Sequence, residues 1–156
     1  MDREEFLNTY WRYYELLETD FKNSIRYVSL DEKNYNTFSV EYARLLQAIC
    51  SEIDVLFKEL CSCLNKKGNN ISDYADILLK NDSTIPDRII YLKMYHRGFE
   101  ICPFKNWKKG NAPTWWGSYN EIKHHRKENM QKANQKNVLY ALAGLFLLEN
   151  ILLKNI

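Results

Sequence analysis

The chain has 156 residues, 46% of them hydrophobic and 27% charged, with a formal net charge of +2. That balance is too apolar for a disordered chain and too near neutral for a molecule that meets nucleic acid as a polyelectrolyte over its whole surface. The length suits one domain with one core, expected over residues 1–156.

The first eleven residues, MDREEFLNTYW, lack the basic-then-apolar layout of a secretory leader, and a cytoplasmic setting is expected. Over 3–21 the apolar set Phe6, Leu7, Tyr10, Tyr13, Tyr14, Leu17 and Phe21 recurs at helical spacing and predicts a helix with an aromatic core stripe. Residues 31–36 are polar and turn-like, and Ser39 stands as the N-cap of a second helix reaching about Leu64. That helix ends in Asn65-Lys66-Lys67-Gly68, where glycine suits the turn. Its core stripe is Leu45, Leu46, Ile49, Ile53, Leu56, Phe57 and Leu60. Glu52 and Asp54 fall on opposite edges of the stripe, so they do not pair; each reaches toward a different neighbouring helix.

A short helix over 72–80, capped by Ser72, is expected next. Between 85 and 103 the pattern turns β-branched and aromatic around Gly98, which predicts a small hairpin or extended insertion. A loop over 103–113 follows, anchored by Phe104 and Trp107. The last helix is expected from about Thr114 to about Lys154, straight or kinked. Its run 138–148 is uniformly apolar but only about half the ~20 residues that cross a bilayer, so it reads as a central bundle helix and no membrane span is expected. Ala141 and Gly144 would let neighbours approach it closely. The predicted class is mostly α: a helical bundle with a small insertion around 85–103.

Cys50, Cys61, Cys63 and Cys102 form no paired C-x-x-C array. Cys50 and Cys61 sit three turns apart on one helix, too far to bridge, and Cys61 and Cys63 splay. Packing in a reducing compartment accounts for them; neither a metal nor a cofactor is expected.

Charge is unevenly placed. Residues 1–20 carry six acidic and two basic side chains, whereas 105–136 carry eight basic and two acidic ones. Such a basic segment holds phosphates or forms a solvated face. Trp107, Trp115, Trp116 and Tyr119 beside it are candidates for stacking bases or for lining a small-molecule or nucleotide pocket. Laid out as a straight helix, Tyr119, Ile122, Lys123, Arg126, Met130, Ala133, Asn137, Ala141, Gly144 and Leu148 share one face. A cation on a core face needs a partner, so a structural polar network of Glu52, Asp54, Arg126 and Asn137 is expected, with a carboxylate on Arg126. Asn120 and His124 lie one turn apart on one side. Together with Lys123 and Arg126 they form either a catalytic cluster, with His124 as acid/base and the cations on phosphate, or a packing network. His96 and His125 have no comparable context and are expected to be exposed.

The segments Asn36-Thr-Phe-Ser39, Cys50-Ser-Glu-Ile-Asp54, Pro103-Phe-Lys-Asn-Trp107 and Trp115-Trp-Gly-Ser-Tyr-Asn-Glu-Ile-Lys-His124-His-Arg126 resemble a family of uncharacterised bacterial proteins that is itself similar to the HEPN superfamily. The likeness spans most of residues 30–150. It implies a helical bundle, often dimeric, from a group with many metal-independent ribonucleases in toxin–antitoxin, phage-defence and RNA-processing systems. A homodimer with RNA or a protein as partner is the expectation that follows. The active motif of that group is an Arg, a polar residue such as Asn, three further residues and a His. Asn120 to His124 matches the Asn-x-x-x-His part, but Tyr119 stands where the Arg belongs. The resemblance therefore implies a noncatalytic binding or oligomerisation module, or a ribonuclease in which Lys123 or Arg126 takes over the phosphate.

Overall fold

Asp2 opens the first helix by accepting the Glu5 N–H at 2.9 Å. In the computed structural model, which describes residues 1–94 and 97–156, this helix runs through three stretches: α1 (Arg3–Phe6), a π-helical turn (Leu7–Trp11) and α2 (Arg12–Ser24). A π turn holds more residues than an α turn and so rotates the faces on either side of it. Phe6, Tyr14, Leu17 and Phe21 are buried, whereas Leu7 and Tyr13 from the expected stripe are exposed.

The central helix, α3 (Val40–Cys63), begins as predicted, with Ser39 Oγ accepting the Tyr42 N–H at 3.0 Å. All seven residues of its expected stripe are buried. Its end is set by Asn65 rather than Gly68. Asn65 takes a positive φ of 54°, and the Lys66 N–H returns to the Cys61 carbonyl at 2.9 Å. Gly68 answers to packing instead: a Cβ there would lie 2.6 Å from Tyr74 Cδ1. The next helix, α4 (Ile71–Asn81), is capped by Asn70, whose Oδ1 accepts the N–H groups of Ser72 and Asp73 at 3.0 Å each. Ser72 Oγ, the expected cap, accepts the Gly110 N–H at 3.1 Å.

Strands β1 (Ile90–Met94) and β2 (Arg97–Ile101) pair antiparallel from Ile90↔Ile101 to Met94↔Arg97, giving the expected hairpin. Phe104 and Trp107 then anchor the following loop in the core.

The C-terminal region is two helices, α5 (Thr114–Asn129) and α6 (Gln135–Leu153), separated by a 3-10 turn at Met130–Lys132. The break has a definite cause. The Gln135 and Lys136 N–H groups donate to the carbonyls of Thr37 (3.0 Å) and Tyr35 (3.2 Å), so the chain ahead of α3 straps the start of α6 in place. Asn134 caps α6 through the Asn137 N–H at 3.0 Å. Positions 119–126 and 133–148 consequently do not form one continuous face.

Helix α6 packs along α3 as the central pair, with α2, α4 and α5 around it. At 19 residues α6 is long and apolar enough to cross a bilayer by length and composition, yet most of it is buried among its neighbours. Gly144 has the expected role: a Cβ there would lie 3.2 Å from Trp115 Cζ2 and 3.4 Å from Phe104 Cζ. The described residues thus form a mostly α bundle with one small hairpin.

Candidate functional site

Helix α5 divides into two parts by its sequence. Trp115, Trp116, Tyr119 and Ile122 recur at three- and four-residue spacing and are buried. After Ile122 comes Lys123-His124-His125-Arg126-Lys127-Glu128-Asn129, nearly two turns without an apolar side chain. Lys123 to Glu128 are all exposed. With nothing to bury, this end leaves helical geometry at His125 (φ −140°, ψ 55°), where the Asn129 side-chain amide donates to the His125 carbonyl at 2.9 Å.

The sequence-predicted cluster therefore lies on the surface. Asn120, Lys123, His124 and Arg126 are exposed, as is His125; His96 lies outside the described residues. Lys123 Nζ stands 5.7 Å from the centroid of the Tyr119 ring. Arg126 Nη2 donates to Gln47 Oε1 at 3.3 Å, and Lys132 pairs with Glu121. Among the described residues, none hydrogen-bonds to the His124 imidazole.

The expected carboxylate contact to Arg126 is replaced by this amide contact, for a reason of helix geometry. At one end Trp116 meets Phe57 with ring centroids 6.1 Å apart, and at the other Arg126 meets Gln47. Helices α5 and α3 therefore run antiparallel, each covering ten residues or about 15 Å between these contacts. Gln47 lies on the same side of α3 as Asp54, since seven residues are nearly two turns, but Asp54 is about 10 Å further along. Asp54 turns to α4 instead, accepting from Tyr74 Oη at 2.8 Å and pairing with Lys58. Glu52 is half-buried on the far edge, where burial raises its carboxyl above the usual range. Asn137 is buried and structural by itself: its amide donates to the Lys132 carbonyl at 2.8 Å and to Ser118 Oγ at 3.1 Å, fixing the elbow between α5 and α6.

The aromatic residues are core. Trp107, Trp116 and Phe104 pack on Phe57 at centroid distances of 5.2, 6.1 and 6.1 Å, and Trp116 meets Tyr119 at 5.3 Å. Trp115 Nε1 donates to the Pro103 carbonyl at 2.7 Å. Trp115 borders a cleft with Lys105, Asn137 and Tyr140, but at 2% exposure it offers no face for stacking. A ligand pocket lined by these four aromatics is not formed, because the spacing that put them together put them inside.

Cys50 and Cys61 are buried, Cys102 is half-buried and Cys63 exposed. Burial raises the Cys50 thiol and, with the charge of Asp73, pushes Cys61 up to about 11, so neither is a ready thiolate. Among the described residues, no three His, Cys, Asp or Glu side chains converge as a metal site.

Two buried polar residues of α6 were not singled out from the sequence. Gln135 ties α6 to the chain after α2 through the Ser29 carbonyl at 3.0 Å. Glu149 is fully buried on α6 and, among the described residues, neither carboxyl oxygen has a hydrogen-bond partner. The available signal for Glu149 was position, in the apolar run that fills the rest of α6; Gln135, flanked by Asn134, Lys136 and Asn137, carried no such signal. No protein-family model, curated protein or solved structure matches this chain.

Proposed function

We propose that this chain is a noncatalytic HEPN-like binding module that holds the backbone of single-stranded RNA on the cationic end of α5. The observation that carries the reading is the run Lys123, His124, His125, Arg126 and Lys127, exposed throughout, at the end of a helix whose other half is locked into the core. Phosphate contacts made by such side chains fix position and carry no sequence information. With the neighbouring tryptophans buried, base stacking contributes nothing and affinity rests on charge. Tyr119, which occupies the place of the motif arginine, packs inward against Trp116, and this supports binding without cleavage. A two-fold homodimer would present two such ends.

The test is fluorescence anisotropy with a labelled single-stranded RNA in EDTA across a salt series, with the RNA recovered and sized afterwards. Wild type binds at low salt and leaves the RNA intact. Combined Lys123→Ala, Arg126→Ala and Lys127→Ala flattens the slope of log K against log salt by about 2, three contacts at roughly 0.7 each. Absence of RNA binding, or a triple variant that binds like wild type, overturns the reading. A second reading, a metal-independent endoribonuclease, has one observation in its favour: Asn120 and His124 are both exposed, one turn apart. Cleavage by wild type that disappears in a folded His124→Ala variant would establish it instead.

A further inference from the structure

A carboxylate sealed from water without a donor is costly, and such a group stays protonated or forces its surroundings to open. Glu149 is in that position. Among the described residues, α3 and α2 each bring a titratable group near it. From α3 comes Glu52, half-buried and of the same sign; from α2 comes Tyr14, whose hydroxyl donates to Glu18 Oε1 at 3.0 Å. Beside Glu52 lie Tyr10 and Glu59. Among the described residues, no Lys, Arg or His pairs with Glu149. Burial first, and then the charge of Glu52, push the Glu149 carboxyl up to about 8.

Of the elements over Glu149, the first helix is held by fewer buried side chains, Phe6, Tyr14, Leu17 and Phe21 against eleven on α3. It is interrupted by the π turn at Leu7–Trp11, and the rings of Trp11 and Tyr14 rest on Phe146, one turn before Glu149, at centroid distances of 6.1 and 5.6 Å. Its ion pair to the bundle, Asp20 with Arg44, is exposed and worth little. Helix α3, by contrast, is the long central partner of α6 and is buried along a whole face.

We propose that Glu149 is a proton-operated latch: protonated, it lets the helix over 3–24 stay docked on α3 and α6, and loss of the proton favours undocking of that helix so that water reaches the carboxylate. The sign follows from linkage. The undocked state gives up the proton near the ordinary carboxylate range and the docked state only near 8, so docking weakens as pH rises between those limits and changes no further above them.

Hydrogen exchange of the whole chain, read by mass spectrometry as protection factors corrected for intrinsic rate at each pH, tests this. Amides of 3–24 are expected to be at least tenfold less protected than those of α3 and α6. Their protection should fall about tenfold per pH unit from about 5 to 8 and level off above. Glu149→Gln should flatten that dependence, and Glu52→Gln should move the levelling point to lower pH. Protection of 3–24 that does not change with pH, or equals that of α3 and α6 throughout, overturns the latch, as does a Glu149→Gln variant that keeps the wild-type dependence. Should Glu149→Gln fail to fold, the wild-type profile and Glu52→Gln decide alone.

Discussion

Replacing Glu149 with Leu should make the protein more stable, and by an amount that grows with pH. The side chain has no exposed surface and, among the described residues, both oxygens lack donors, so the substitution removes a polar burial cost and sacrifices no hydrogen bond. In the folded chain the carboxyl titrates at about 8, against an ordinary value of 4.5. Between these limits the unfolded chain releases the proton and the folded chain keeps it. Wild-type stability therefore declines through this window by about 1.4 kcal/mol per pH unit and is flat outside it. At pH 7 the accumulated penalty is about 3 kcal/mol, which the leucine variant does not carry. Urea unfolding of both proteins at pH 5, 6, 7, 8 and 9, with equal m-values as the check on two-state behaviour, measures the gap directly. It should widen steadily from pH 5 to 8 and stop widening by 9. A gap that is constant with pH would mean that Glu149 finds a compensating partner, and the reasoning from its isolation would fail.

Three further outcomes follow from the packing. Gly68→Ala should lower stability by about 1–3 kcal/mol in thermal melts, because the new Cβ would meet the Tyr74 ring at 2.6 Å while that ring is held by its bond to Asp54. Asn137→Ala should cost about 1–3 kcal/mol by chemical denaturation, since it leaves the Lys132 carbonyl and the Ser118 hydroxyl at the α5–α6 elbow without their donor. Arg126→Ala should change stability by less than about 0.5 kcal/mol, because its hydrogen bond to Gln47, at 3.3 Å, is exposed; a large loss would show that the cation is structural.

What the sequence disclosed follows from the range over which each signal acts. The stripe from Leu45 to Leu60 and the Ser39 cap were legible because periodicity and capping are local, and both are seen as read. The hairpin was legible from β-branched residues around a glycine. The π turn was not, because it shifts register by a single residue and no composition marks it; Leu7 and Tyr13 were misplaced as a result. The break before α6 was equally hidden. It is made by carbonyls of Tyr35 and Thr37, about a hundred residues away in the chain, and only the polar Asn134 hints at it locally.

The candidate site was legible in its composition and misread in its depth. A helix wheel drawn through 119–148 places Arg126 on a core face, and a cation on a core face demands a carboxylate. The elbow at His125 and Asn134 removes that premise: beyond Ile122 no apolar side chain draws α5 inward, so Arg126 stays at the surface and meets the half-buried amide of Gln47. The antiparallel pairing of α5 with α3 then sorts the polar residues into two groups that do not touch. Asp54 and Asn137 sit where helices meet, and their removal is felt as stability. Lys123, His124 and Arg126 sit where one helix runs out of core, and their removal leaves the bundle standing. Substitutions in the second group can therefore test binding without confounding it with folding.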